Sequence, residues 1–441
     1  MSKKRKSVKK TAPKKYDTQQ ALTIYLEKLD RVLTKIGLEN TLDELTSFEK
    51  LVVFAKRFNI TDFKNLNPNV LTPKTVKELS KVYKKTIHSV FASYKTLKEP
   101  ITTFEAMMLF SFDSILKCPD ITKERIEELK SIFEFTSELT PKSLFNPFIN
   151  SLYIFTTYYS CFHKVHLGYT MTFTSKLNNP RNPHIDITLG LSSLKAQSTK
   201  VVIDNIYRTV HRIAQPRPSI NEGIRWTSIP SCYLEKIYSG KKQVLDLYIQ
   251  QHAINRIIER ISLTDARDYR IVLFFATSDI DVNGFVYNNN FLMPVSINNI
   301  KVGYLVSSVI NDKLIIKTCL LVTHRNTPEG DKLAEISGLS WGDISFWQID
   351  KLSSMFSLDR NKHKLITDIF AQAGIELDKL KEEDLMYHFK RTSSTSLMSL
   401  SKYITKGQEN IEIVNDDVFA ENDSLSDSQN EVQEEEEVLT D

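Results

Sequence analysis

The chain has 441 residues, room for roughly three domains of usual size, and its 41% hydrophobic and 10% aromatic content excludes a wholly disordered polymer. Its 12 glycines include no GxGxxG and no GxxxxGK(S/T), which excludes the phosphate loops of Rossmann enzymes and P-loop motors. The formal charge of +4 hides an asymmetry: eight Lys/Arg and no acid in residues 1–15, twelve Asp/Glu and no base in 412–441.

Between the two tails the body carries a net +8. Residues 1–16 read as a disordered basic arm whose Lys3, Lys4, Arg5, Lys6, Lys9, Lys10, Lys14 and Lys15 bind RNA or DNA by releasing counterions. A solvated terminus with no partner is the competing reading. No apolar h-region follows the arm, so no secretory signal is expected. No run of about 18 apolar residues predicts a membrane span. Cys118, Cys161, Cys232 and Cys319 stand singly, which fits a reducing cytoplasm better than a disulfide scaffold or zinc ribbon.

Residues 17–150 read as an α-helical domain. Leu22, Tyr25, Leu26, Leu29, Val32, Leu33 and Ile36 repeat at helical spacing, and Gly37 stops them. A second helix is expected after Thr41 and Asp43, and a third from Thr72-Pro73, with two more over 102–117 and 121–135. Lys84, Lys85, Lys95 and Lys98 give the third helix a basic, solvated face. These helices carry no nameable chemistry; a protein partner is the one function left open for them.

Residues 151–250 read as a β-rich domain, from the Tyr, Phe and Thr of SLYIFTTYYSCFHKVHLGYTMTFTSKL and from two strands about Asp204-Asn205. Cys161, His163 and His166 fall close together, but three ligands on alternating strand faces make a poor zinc site. No metal and no cofactor are expected.

Residues 251–390 read as an α+β unit with trailing helices. VLDLYIQ is a strand, and the helix after it places His252, Arg256 and Arg260 on one face opposite Ile254, Ile257, Ile258 and Ile261. A second helix over Asp265–Thr277 and three strands turning at Asn298-Asn299 and Asn311-Asp312 follow. Thr327-Pro328-Glu329 opens another helix. Trp341 and Trp347 read as core in preference to base-stacking platforms. HKLITDIFAQAG is amphipathic, and 391–441 form a Ser-rich linker and an acidic disordered tail. The fold class expected is α+β and multidomain.

The run His252-Ala253-x-x-Arg256-x-x-x-Arg260, with a helix and a small antiparallel sheet behind it, resembles the RelE- and BrnT-type toxin domains. It covers about residues 245–330, and it implies a ribonuclease-type fold and metal-independent RNA cleavage. The residues make sense of that chemistry. His252 titrates near neutral pH and can move a proton; Arg256 and Arg260 can clamp a phosphate. Lys317, His324 and Arg325, from the last strand and its end, complete the candidate set. Glu259 is expected to pair with an arginine. Two alternatives stay open: His252 packs or caps while the arginines bind Asp265 or Glu259, or the chain is a non-catalytic nucleic-acid-binding or structural protein of a phage or mobile element.

Overall fold

The computed structural model describes residues 18–89, 91–92, 99–132, 140–178, 183–217, 223–263, 265–278, 283–297, 299–355 and 364–380. The basic arm with its eight cations, the Ser-rich linker and the acidic tail lie outside the described residues. The fold is α+β and multidomain, with two compact units. Unit 1 takes residues 1–155, 169–192 and 218–223; unit 2 takes 156–168, 193–217 and 224–441. The β-rich stretch expected over 151–250 is therefore not a unit of its own. Its strands find partners far away in sequence, and those partners divide it.

Unit 1 opens with α1 (Thr18–Lys35), which buries Leu22, Leu29, Val32 and Leu33 and ends before Gly37 at φ +79°. Helix α2 (Ser47–Ala55) starts later than Asp43 suggested, because Thr46 is its cap. The Thr46 hydroxyl accepts the Glu49 amide at 3.2 Å, and the Glu49 carboxylate accepts the Thr46 amide at 2.8 Å. Such reciprocal capping satisfies two otherwise orphaned amides. Thr46→Ala is expected to destabilise unit 1 by about 1 kcal/mol, read as a lower urea midpoint with an unchanged slope.

Strands β1 (Phe58–Ile60) and β2 (Lys64–Asn65) precede α3 (Pro73–Ile87), which begins as expected at a Thr72 cap with proline in its first turn. The short antiparallel pair β3 (Phe91–Ala92) and β4 (Ile101–Thr102) leads into α4 (Thr103–Phe110), α5 (Asp113–Leu116) and α6 (Lys123–Ile132). The expected strand at 151–158 is instead the end of α7 (Pro141–Tyr158). Thr140 receives the amide of Ser143 on its hydroxyl and that of Leu144 on its carbonyl. Leu144, Phe148, Leu152 and Phe155 are buried at helical spacing, so packing overrides the β-prone composition. Strands β5 (Val165–Ser175) and β6 (Ile185–Lys195) pair with each other, and β6 also pairs in parallel with β1 and β2.

Unit 2 is built on one large sheet. Strands β7 (Ser198–Ile203) and β8 (Ile206–Arg212) turn at Asp204 (φ +51°) and Asn205 (φ +62°), the positive φ pair a two-residue hairpin needs. A separate ribbon joins β9 (Ala214–Pro216) to β10 (Ile224–Trp226). Strand β11 (Ser228–Pro230) flanks β12 (Val244–Gln250), which runs directly into α8 (Gln251–Arg260) and on to α9 (Tyr269–Ser278). Then come β13 (Phe285–Tyr287), β14 (Asn290–Ile297), β15 (Ile300–Ile310) and β16 (Lys313–Leu321). The spatial order is β13-β14-β15-β16-β12-β8-β7; β12 and β16 are parallel and the other neighbours antiparallel.

Strand β13 is an addition to the three-stranded meander expected, turning at Asn288 and Asn289, both at positive φ. The turn at Asn311 and Asp312 falls as expected; at the other, Asn299 is described (φ +64°) and Asn298 is not. Ile254, Ile257 and Ile261 of α8 are buried in the core formed with the sheet. Helices α10 (Pro328–Ser337), α11 (Trp341–Phe346), α12 (Leu352–Met355) and α13 (Lys364–Ala373) follow. Trp341 is not core: it is 62% exposed, while Trp347 packs partly buried against the core. Among the described residues no helix is long and apolar enough to cross a membrane.

Candidate functional site

The start of α8 is where sheet and helix bring ionisable groups together. Gln250 is the N-cap position and makes no side-chain capping bond, and the first turn holds no acid. Neither the cap residue nor the first turn of α8 thus supplies an anion to its free amides and positive dipole end. The strands on either side decide what flanks this end. Gln250 pairs with Val210 of antiparallel β8, so the next residues down β8 lead to Arg208 beside His252. On the other side, Ile249 pairs with Ile316 of β16, which brings Lys317 level with the strand-to-helix junction.

Lys317 sits in a β-bulge. Val306 faces Thr318 and Ser307 faces Ile316, so Lys317 is the extra residue of β16. Bulges leave a residue unpaired and re-aim its side chain. The released Lys317 carbonyl is taken by the Gln250 side-chain amide. Among the described residues the Lys317 ammonium, the His252 ring and the Arg208 guanidinium have no hydrogen-bond or ion-pair partner.

Along α8 the three expected residues share a face but not an environment. His252 is exposed, Arg256 is half-buried and Arg260 is buried. Partial burial, then Arg256, Arg208 and Arg260, push the His252 pKa down, with Glu259 opposing them. The imidazole is therefore neutral at neutral pH, the state that accepts a proton. Arg256 is held by Glu259 one turn on, so Glu259 takes the pairing role expected of it. Asp265 does not bind either arginine; it pairs with Arg267 and accepts the Tyr158 hydroxyl at 2.7 Å.

Arg260 reaches under the helix, and its Nη1 donates to the Cys319 carbonyl at 2.5 Å. Among the described residues its buried Nε has no hydrogen-bond partner, nor has the Nε2 of buried His324 or the Oδ1 of Asp350. Burial drives His324 down to about 4, aided by Arg260 and Arg256, so it is neutral and sealed from solvent. Burial raises the Asp350 carboxyl against the pull of Arg260. Burial also pushes the Cys319 thiol up to about 12, so it is no thiolate nucleophile. Arg325 reaches toward the Leu339 carbonyl and away from this group.

The structure thus draws His252, Arg256, Arg260 and His324 into one electrostatic neighbourhood, with Lys317 level with the start of α8. Arg208 and Asp350 join them and were not expected. Arg208 had a signal, since the Asp204-Asn205 turn fixes which β8 residues recur on one face; its register against β12 was missing. Asp350 had none. Of the residues that fall close together around Cys161, His163 meets the ring of His211 edge-on at 4.2 Å, whereas His166 lies buried against Phe162 and Trp226.

Comparison of the chain with protein-family models, with curated proteins and with solved structures finds no match.

Proposed function

We propose that the chain is a nucleic-acid-associated protein whose unit 2 carries a metal-independent, ribonuclease-like site at the start of α8. One observation carries this reading: an exposed imidazole with a lowered pKa stands among Arg208, Arg256 and Arg260 at an uncapped helix start. In RNA cleavage His252 takes the 2′-hydroxyl proton. Arg208, Arg256 and the α8 amides meet the charge that builds on the phosphate, and Lys317 is the ammonium available to the leaving oxygen. The buried Arg260 and His324 tune this field from beneath and do not touch substrate.

The test is cleavage of single-stranded RNA in EDTA by the wild type, His252→Ala and Arg208→Ala. Loss of His252 should lower the rate about a hundredfold to ten-thousandfold, the usual range for a general base. A wild type that cuts nothing, or a His252→Ala variant that cuts equally well, selects a non-catalytic nucleic-acid-binding role. The pairing of Arg256 with Glu259 favours that second reading, because it occupies half of the expected phosphate clamp. Binding without cleavage that weakens steeply with salt would establish it.

A further inference from the structure

Unit 1 contains a pocket of about 530 Å³, inside the range of roughly 300–1,000 Å³ typical of small-molecule sites. Its walls follow from helical spacing. Helix α1 buries one stripe in the core and turns a second, made of Ala21, Ile24, Tyr25 and Lys28, to the pocket. Helix α4 supplies Phe104, Met107 and Met108 at the same spacing, and Phe58 of β1 closes the apolar lining. Phe58 is itself backed by the rings of Phe110 and Phe145, at 5.6 and 6.4 Å, which make that wall stiff.

The polar part of the lining holds two cations, Lys28 and Arg57, beside Asn59 and His184, and no Asp or Glu. Arg57 is fixed in place: its Nη1 donates to the carbonyls of Phe54 and, at 2.6 Å, of Pro183, and its guanidinium lies 3.6 Å over the Phe54 ring. Asn59 and His184 are engaged by Asp186, whose carboxylate accepts from them at 2.6 and 3.1 Å. Lys28 stands exposed, with no ion-pair partner among the described residues. The Tyr25 hydroxyl is engaged by Ser111 at 3.0 Å, so the aromatic wall presents its ring and not a free phenol. A stiff apolar cavity bordered by a preorganised guanidinium and an open ammonium matches an apolar body that ends in one negative charge.

We propose that this pocket is a binding site for a small amphiphilic carboxylate, an alkyl or aryl chain of medium length whose carboxylate meets Arg57 and Lys28. It is independent of the reading given for unit 2.

The experiment is calorimetric titration of the full-length protein with octanoate, decanoate and the uncharged decan-1-ol. One saturable site is expected. Decanoate should bind about fifteenfold more tightly than octanoate, since each of its two extra buried methylenes is worth about fourfold in affinity, and at least about tenfold more tightly than the alcohol, as a charge-assisted contact requires. Lys28→Ala should weaken decanoate about threefold to tenfold and leave the alcohol unchanged. Ala21→Trp, which fills the cavity from an incompletely buried helix position, should abolish binding of both. Equal affinity for acid and alcohol, decanoate affinity unmoved by Lys28→Ala, or no saturable site would each overturn the proposal. If Ala21→Trp fails to fold, the acid–alcohol pair measured on wild type and Lys28→Ala decides alone.

Discussion

Acidification from pH 7 to pH 4 should unfold unit 2. Three of its histidines, His166, His211 and His324, are buried and driven from the ordinary 6.5 down to about 4, by burial above all. Each is neutral in the fold and takes up a proton once the chain unfolds. Between pH 6.5 and about 4 the unfolded state therefore holds more protons, and stability falls as pH falls through that window. At pH 5 each imidazole costs about 2 kcal/mol, and the three together roughly 6 kcal/mol, on the order of a whole domain's stability. All three tryptophans, Trp226, Trp341 and Trp347, lie in unit 2, so their fluorescence reports this unit alone. The midpoint should fall between pH 4 and 6 and move to lower pH in His324→Gln. Tryptophan emission that stays native down to pH 4 would contradict the assignment of these rings as neutral and buried.

Gly330→Ala should be the most damaging single-methyl change in unit 2. Gly330 occupies the first turn of α10, and a Cβ there would run into the backbone carbonyl of His324 and crowd the Thr327 hydroxyl. That hydroxyl ties the turn together: it donates toward the His324 carbonyl at 2.6 Å and accepts the Gly330 amide at 3.1 Å. Backbone cannot step aside as a flexible side chain can, so the cost expected is about 3 kcal/mol, at the upper end for overpacking. Gly338 is the control. It caps the other end of the same helix at φ +71° with open space around it, so Gly338→Ala should cost only the left-handed strain, about 1 kcal/mol. Urea midpoints for the two variants separate the mechanisms. Equal losses would mean that the collision is relieved by movement of the 322–327 turn.

The sequence carried α8 well, because one apolar stripe of isoleucines fixes which residues lie opposite it. That reading placed His252, Arg256 and Arg260 on a common face, yet it could not distinguish exposed His252 from buried Arg260. The difference arises where α8 crosses β16 and Arg260 meets the Cys319 carbonyl, a contact between distant parts of the chain. The end of α7 was misread for a different reason. Its Thr, Tyr and Phe residues favour strands by composition, while the buried series from Leu144 to Phe155 follows the helical period. The division into two units was hidden because β6 finds parallel partners in β1 and β2, far back in the helical region, and no local pattern marks such pairing.

The parallel pairing of β12 with β16 also sets the order in which the chain can assemble. Asp246 meets Lys313, and the whole β13–β15 meander together with α8 and α9 lies between them in sequence. During synthesis β12 emerges with β8 and β11 as its available neighbours, and one long edge stays open until the ribosome has delivered β16. Loop-closure entropy must be met before that last pairing returns anything, which places this sheet among the slow, non-local folders. The nascent chain thus carries an unpaired strand edge, Leu245 to Ile249, until about 70 further residues have been added. That edge is where chaperone engagement and premature aggregation compete.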